Sequence, residues 1–338
     1  MNYYPLIKPL LFQLDAEKAH SLSLKLLKVS HNLGLDGLLN PKVIHKPVTV
    51  MGLEFKNPVG LAAGLDKNGD YIDALSGLGF GSLEIGTVTP RPQLGNPKPR
   101  LFRLAEHQAI INRMGFNNLG VDYLLQQVEQ ANYSGILGIN IGKNFDTPIE
   151  NATEDYLISL RKAYVAASYI TINISSPNTK NLRQLQQGDE IKHLLSSLKE
   201  EQGRLQSEHK KYTPIVVKIA PDLSDEEILH IAQLLKEYAI DGVIATNTTL
   251  DRSAVKNHPF ENEAGGLSGA PVRDKSSYVV SRLAEELQGA IPIIAAGGIF
   301  SAEDAQAKLD AGASLVQIYS GLIYKGPELA HQIMQGLK

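Results

Sequence analysis

Ser176 is the residue on which chemistry in this sequence would turn. It lies in Ile170-Thr-Ile-Asn-Ile-Ser-Ser-Pro-Asn-Thr179, with Asn173 and Asn178 to either side. The first half of the stretch is rich in β-branched residues and predicts a buried strand over 170–175. Pro177 has no N–H for a ladder and biases Ser176 toward an extended conformation. The strand therefore ends in a stiff turn that presents a hydroxyl between two amides. Polar groups crowded at the carboxyl end of a buried strand are where parallel α/β enzymes keep their chemistry. A Ser-Pro loop start with Asn serving turn geometry would use the same residues, so the choice falls to the rest of the chain.

From residue 48 onward, short runs rich in Val, Ile, Ala and Gly alternate with segments of helical periodicity. The strands are expected at 59–64, 82–88, 136–141, 170–175, 215–220, 242–246, 293–296 and 315–319. Helices are expected at about 70–78, 119–131, 153–167, 189–206, 224–239, 275–288, 301–311 and 326–337. Ser224-Asp-Glu-Glu227 and Ser301-Ala-Glu-Asp304 have the chemistry of helix starts. Eight strand–helix units with apolar strands predict a (β/α)8 barrel of the TIM type, with a doubly wound open sheet as the alternative. Two connections that follow strands, 89–118 and 248–275, exceed ordinary loop lengths and would lie over the mouth of such a barrel.

In a barrel the strand ends converge, bringing together Lys67, Thr87, Asn140, Asn173, Ser176, Lys218, Thr246, Asn247 and Tyr319. Amides offer paired donors and acceptors and suit a planar ring with alternating carbonyl and N–H groups, such as a pyrimidine or a flavin. A lysine adds a point charge for a carboxylate or for negative charge on a reduced ring. His and carboxylates do not gather at these positions, which argues against a hydrolytic metal centre. Ala296-Gly-Gly-Ile299 and Tyr319-Ser-Gly321 end the last two strands, and Gly265-Gly-Leu-Ser-Gly269 follows the sixth. Together these glycine turns favour a phosphorylated cofactor.

Composition narrows the classes. The 338 residues are 43% hydrophobic and 20% charged, with a net charge of −3 and no cysteine. The charge gives no basic field for nucleic acid, and the lack of cysteine removes disulfides, thiolate metal sites and a cysteine base. No apolar run reaches the length of a membrane span, and a signal peptide is not expected at the amino terminus. Residues 1–46 differ from the body, carrying six lysines against three carboxylates. Helices are expected at about 6–12 and 16–32, with Asp15 capping the second and 41–47 as a linker. Leu22, Leu26, Val29 and Leu33 fall on one face. Such a basic amphipathic pair fits a membrane-surface anchor and equally a pair packed on the body, the commoner use of such helices.

Longer motifs carry a resemblance. They are Ala62-Ala-Gly-Leu-Asp-Lys67, Glu84-Ile-Gly-Thr-Val-Thr-Pro-Arg-Pro92, Asn112-Arg-Met-Gly-Phe-Asn117, Asn140-Ile-Gly-Lys143, Asn173-Ile-Ser-Ser-Pro-Asn178, Val217-Lys-Ile-Ala-Pro-Asp222, Thr246-Asn-Thr-Thr249 and Gly265-Gly-Leu-Ser-Gly269. With the two terminal glycine turns, the chain resembles the quinone-dependent (class 2) dihydroorotate dehydrogenases from end to end. The resemblance implies a barrel with FMN at its mouth and oxidation of dihydroorotate to orotate in pyrimidine (UMP) synthesis, with ubiquinone as final acceptor. It implies that Ser176 is the catalytic base, where class 1 enzymes use Cys. Lys67, Asn112, Arg113, Met114, Gly115, Phe116, Asn173, Asn178, Asn247 and Thr248 stand at orotate-binding positions. Ala63, Gly64, Leu65, Asp66, Lys67, Thr87, Asn140, Asn173, Lys218, Thr246, Gly269, Gly298, Tyr319 and Ser320 stand at FMN-binding positions.

The same resemblance turns the reading of the amino terminus. Residues 1–46 become a membrane-docking hairpin and linker that admits quinone, and 47–338 the FMN-binding barrel. His20, Arg103 and Tyr319 are similar to polar residues of the quinone tunnel. The expected location is peripheral, on the cytoplasmic face of the inner membrane, with no metal and no nucleic acid; the oligomeric state stays open, a monomer included. Two competing readings are a barrel oxidoreductase acting on 2-hydroxy acids, which would need a His base near the flavin, and a membrane-associated nucleotide sensor.

Overall fold

A strand buried on both faces needs apolar residues at consecutive positions, and a parallel ladder needs a helix to return the chain. The computed structural model, which describes residues 4–35, 43–179, 182–186 and 188–338, shows both requirements met eight times. The strands β3 (Val59–Leu61), β4 (Ser82–Val88), β7 (Ile136–Ile141), β8 (Tyr169–Asn173), β9 (Ile215–Ile219), β10 (Gly242–Ala245), β12 (Ile293–Ala296) and β13 (Leu315–Ile318) close into one parallel barrel, β13 pairing with β3. The barrel reading therefore holds and the open sheet falls. Three strands end where expected and five end one to three residues short, where the chain turns into the site.

Helices α3 (Ile72–Ser76), α4 (Val121–Gln130), α5 (Ala152–Ala163), α6 (Gly188–His209), α7 (Asp225–Glu237), α8 (Arg273–Leu287), α9 (Ala302–Asp310), α10 (Ser320–Lys325) and α11 (Leu329–Gly336) surround it. The start of α7 is a full capping box between Ser224 and Glu227, and Ser301 caps α9 through the Asp304 N–H. Both starts follow from the Ser-x-x-acid spacing.

Three features escaped the sequence reading. A short hairpin, β1 (Val48–Val50) and β2 (Leu53–Phe55), closes the amino-terminal end of the barrel, where Val50 and Phe55 join a buried cluster with Tyr169, Val216, Ile244 and Leu315. The two long connections are not plain loops. They supply β5 (Leu101–Leu104), β6 (Ala109–Asn112) and β11 (Gly266–Gly269), an antiparallel sheet with β6 in the middle that ties both together. The short α10 was also missed. Strands of four residues have too little alternation to stand out in sequence.

At the amino terminus, α1 (Tyr4–Gln13) and α2 (Ala16–Asn32) form the expected helix pair, and Asp15 caps α2 by accepting the Lys18 N–H at 3.0 Å. Pro5 falls in the first turn of α1, where its missing N–H costs nothing, whereas Pro9 lies in the interior and gives up one backbone hydrogen bond. The face of α2 that packs inward carries Ala16, Ala19 and Leu24, whereas Leu22, Leu26, Val29 and Leu33 point outward. The first two residues of the expected linker, 41 and 42, lie outside the described residues. No described helix is long and apolar enough to cross a membrane.

Candidate active site

The turn after β8 carries Ser176 as its sequence predicts. Ser176 is buried, and its Oγ accepts the Asn178 N–H at 3.2 Å. Three residues on, the buried Thr179 Oγ1 has no hydrogen-bond partner among the described residues. Arg183 braces the turn from outside: it donates to the carbonyls of Ser175 (3.1 Å) and Thr248 (2.9 Å) and pairs with Asp222 at 2.9 Å. The ends of β8 and β10 are thus held in register around one cavity.

That cavity, ≈ 150 Å³, occupies the carboxyl-terminal mouth of the barrel. Its wall contains Ser176, Asn173, Asn178, Asn247 and Thr248; Lys67, Thr87, Lys218 and Thr246; and Asn112, Met114, Gly115 and Phe116 from the segment ending β6 and following it. Ala63, Gly64, Gly269, Gly298, Tyr319 and Ser320 complete the predicted set. Four predicted residues do not line it. Arg113 turns away to pair with Glu263. Leu65 faces a second cavity. Asp66 accepts the backbone N–H groups of Gly69, Asp70 and Tyr71 at 2.9, 3.0 and 2.8 Å, so it shapes the turn bearing Lys67. Asn140 lies fully buried beneath the floor.

The floor is a chain of amides. Asn173 donates to Thr87 Oγ1 at 2.9 Å, and Thr87 donates to Asn140 Oδ1 at 2.6 Å. Asn247 Nδ2 donates to Ser175 Oγ at 2.9 Å, and Ser175 Oγ donates to Asn173 Oδ1 at 3.0 Å. Two buried acceptors in the wall have no partner among the described residues: Gln317 Oε1 and Thr248 Oγ1. Gln317 and Ser268 were missed by the sequence reading. A polar residue inside the apolar run Leu315-Val-Gln-Ile318 was the available signal for Gln317.

Charge in the cavity is set by burial. Lys67 donates to the Gly64 carbonyl at 2.7 Å, and desolvation pulls its pKa down to about 8. Lys218 is also pushed down by burial, partly offset by the Glu84 carboxylate, and donates to no described side chain or carbonyl. Two lysines with spare hydrogen-bonding capacity suit anionic or electron-rich groups.

Behind Tyr319 lies the second cavity, ≈ 330 Å³. Ala16, Ala19, Leu24 and Leu27 of α2 line it, with Leu11 and Phe12 of α1 and Leu65 and Leu322 of the barrel. Tyr319 belongs to the walls of both cavities. Burial pushes the Tyr319 phenol up to about 12. The polar residues of the apolar cavity include His20 and Arg103. Desolvation holds His20 neutral, with a pKa of about 4. Arg103 donates to the carbonyls of Leu11 (3.0 Å) and Phe12 (3.2 Å), anchoring the end of α1 to β5.

The same architecture recurs in known proteins. The dihydroorotate dehydrogenase family model matches residues 46–338. The chain belongs to the dihydroorotate dehydrogenase family. It is 65% identical over 326 residues to a dihydroorotate dehydrogenase (quinone) of Chromobacterium violaceum, covering 96% of this chain and 95% of that one. It is 60% identical to the enzyme of the same name from Acinetobacter baylyi, over 99% of both. Among solved structures, a dihydroorotate dehydrogenase of Eimeria tenella in complex with ferulenol superposes with a TM-score of 0.86 at 39% identity, over 95% of this chain and 90% of the other.

Dihydroorotate dehydrogenases are flavin-dependent, and the mouth of this barrel fits a flavin on its own geometry. The unpartnered polar atoms in the wall leave hydrogen bonds that a bound ring can make. At the far end the backbone is bare of side chains where a phosphate would lie. Gly298 has φ +72°, and a Cβ there would come within 2.4 Å of the Arg273 side chain; a Cβ on Gly321 would come within 2.1 Å of the Ile299 carbonyl oxygen.

Proposed function

We propose that the chain oxidises dihydroorotate to orotate with FMN as hydride acceptor and passes the electrons to a ubiquinone-type quinone, as a step of pyrimidine synthesis. One observation carries this reading. The polar cavity holding Ser176 and the amide floor shares Tyr319 with an apolar cavity that opens under the amino-terminal helices. A single site thus meets a small polar ring on one side and a hydrocarbon chain on the other.

The residues divide the work. When bound, the flavin supplies the hydride acceptor. Lys67 binds the substrate carboxylate, and Asn112, Asn173, Asn178 and Asn247 grip the edges of the pyrimidine ring, fixing C6 for hydride loss. Ser176 Oγ takes the C5 proton and releases its own through water toward the unpartnered Thr179 Oγ1. Phe116 and Met114 close the mouth against bulk water. Lys218 offsets negative charge that develops on the ring above it. Gly269, Gly298 and Ser320 cradle the FMN phosphate.

Residues 1–46 serve as the docking hairpin and 47–338 as the catalytic barrel. Leu6, Leu10, Leu26, Val29 and Leu33 are each more than half exposed on the outer face of α1 and α2 and just beyond it. Lys8, Lys18, Lys25 and Lys28 lie on the same hairpin. Such a face lies in a lipid interface with its leucines immersed and its lysines near the head groups. Quinone reaches the flavin from that side, along the apolar cavity past His20 and Arg103. The protein sits peripherally, on the cytoplasmic face of the inner membrane.

Anaerobic mixing tests the scheme. Dihydroorotate should bleach the flavin band of the purified protein, and a ubiquinone analogue should restore it while fumarate and NAD do not. Recovery with fumarate or NAD would overturn the quinone assignment. A flavin-loaded protein that does not bleach would overturn the substrate.

A further inference from the structure

Glu84 has no place in the chemistry above, yet it is among the most heavily bonded side chains of the barrel. It projects from β4 into the barrel and is 1% exposed. Its Oε1 accepts Asn140 Nδ2 at 2.8 Å. Its Oε2 accepts Gln317 Nε2 at 2.7 Å, the Tyr169 hydroxyl at 3.0 Å and Thr171 Oγ1 at 3.2 Å. Four donors from β7, β8 and β13 converge on one carboxylate.

A carboxylate only accepts hydrogen bonds, whereas an amide can be turned either way. Glu84 therefore removes the ambiguity from its neighbours. Asn140 must point its NH₂ down at Glu84, which leaves Oδ1 facing up. Thr87 must then donate to that oxygen, which leaves the Thr87 lone pairs for Asn173. Asn173 must donate its NH₂ to Thr87 and so presents Oδ1 to Ser175 and Asn247. Gln317 is turned the same way, and its Oε1 is the unpartnered acceptor in the cavity wall. The sense of Asn140, Asn173 and Gln317, from the barrel core to the cavity floor, follows from one buried charge.

The charge has a second consequence. Lys218 is deeply buried and has no ion-pair partner within 4 Å among the described residues, and Glu84 is the carboxylate that favours its charged form. The other titratable group against Glu84 is the Tyr169 phenol, whose burial pushes its pKa well above the usual value, so it stays a neutral donor.

We propose that Glu84 is a positioning residue for the flavin. Its carboxylate fixes the donor–acceptor sense of Asn140, Thr87, Asn173 and Gln317 and balances the Lys218 ammonium under the ring site. This rests on the flavin reading of the cavity. The carboxylate does not touch the reacting atoms and acts through the floor it orients.

FMN affinity of the protein stripped of flavin, measured by fluorescence quenching between pH 6 and 9.5, tests the proposal without turnover. Glu84→Gln keeps the shape but lets the amides turn and leaves Lys218 uncompensated. The expected result is FMN binding at least about tenfold weaker at neutral pH, falling further with rising pH as Lys218 loses its proton. In a Lys218→Met background the same substitution should cost much less. Affinity equal to the parent's, a uniform loss with the parent's pH dependence, or an undiminished cost in the Lys218→Met background would each overturn it.

If Glu84→Gln fails to fold, Tyr169→Phe takes its place. It removes one of the four donors that hold the carboxylate and keeps the charge, so FMN should bind a few-fold more weakly with the parent's pH dependence. Affinity equal to the parent's, or a changed pH dependence, would overturn the proposal. A parent chain that binds no FMN at any pH would instead remove the flavin reading itself.

Discussion

The two cavities that meet at Tyr319 are built on opposite principles. In the mouth of the barrel a chain of hydrogen bonds runs from Glu84 through Asn140 and Thr87 to Asn173, Ser175 and Asn247. Position is fixed there by directional bonds. The cavity under α1 and α2 is walled by Leu, Ile, Phe and Ala, with few polar groups and volume to spare. It fixes little and admits a flexible chain. The difference matches what each side must do. A proton and a hydride must leave adjacent carbons in a set geometry, whereas electrons need only a ring brought close to the flavin. Precision is concentrated on one side of Tyr319 and tolerance on the other.

The largest effect that would break this contrast comes from the polar side. Ser176→Ala should leave FMN and orotate binding near the parent's and slow flavin bleaching by dihydroorotate by roughly 10²–10⁴-fold, the usual share of a positioned base. Quinone re-oxidation of the chemically reduced flavin should not change. Rapid bleaching in the variant would show that the hydroxyl is a turn residue after all.

On the apolar side the matching experiment changes shape and charge without touching the site. Leu6, Leu10 and Leu33 are 76%, 66% and 69% exposed, and none of them lines the apolar cavity. Immersing a leucine side chain is worth roughly 1.5–3 kcal/mol. Replacing all three with Glu should therefore lower binding to phospholipid vesicles by at least about a hundredfold. Oxidation by a long-chain quinone in vesicles should fall with it, while oxidation by a short, water-soluble analogue holds. Unchanged sedimentation with vesicles would make the exposed leucines ordinary surface.

Lys67, in the wall of the polar cavity, sharpens the comparison. Its pKa of about 8 lies below the usual lysine value, so the free site loses its positive charge as pH rises through about 8. A carboxylate ligand needs that charge. Orotate affinity, read from the shift it causes in the flavin spectrum, should weaken above that point by up to about tenfold per pH unit. The weakening levels off where the lysine of the complex, raised by its bound carboxylate, also titrates. Lys67→Met should bind orotate weakly with no such slope. A flat profile in the parent would place the carboxylate elsewhere.

The polar side was also the legible one. Ser176, Asn173, Asn247, Lys67 and Lys218 stood out because polar residues at the ends of apolar strands break a pattern, and the pattern itself predicted all eight strands. Glu84 and Gln317 broke the same pattern in mid-strand but carried no hint of a partner, since their bonds join residues far apart in the sequence. Arg113 stood in a motif and still turned outward, because a salt bridge with Glu263 is a feature of the folded loops and not of spacing. The apolar cavity could not be read at all. Leucines at helical spacing look alike whether they face a core, a tunnel or a membrane, and only the packing of α2 separated Leu24 from Leu22.

The smallest predicted effect concerns the joint between the regions. Glu17, on α2, accepts Arg100 at 2.8 and 3.2 Å, and Lys98 lies 3.2 Å away. Arg100 in turn holds the carbonyls of Leu94 and Asn96 at 2.7 and 2.9 Å, and its own carbonyl accepts the Arg113 N–H at 2.9 Å. The docking helix is therefore latched to the segment that carries Asn112 to Phe116. Burial pushes the Glu17 carboxyl upward, but Arg100 and Lys98 outweigh it and leave its pKa below the usual range. A depressed carboxylate adds stability that is present above its unfolded value and lost as pH falls through the folded one. Glu17→Gln should accordingly cost about 1 kcal/mol near neutrality, a modest figure because the pair is partly solvated. The difference from the parent should vanish in acid, as thermal melts across pH would show. Because the latch reaches the substrate segment, KM for dihydroorotate should rise a few-fold while KM for a short quinone analogue stays put. If the quinone constant moves and the substrate constant does not, the latch belongs to the apolar cavity alone, and Tyr319 is the only element the two sides share.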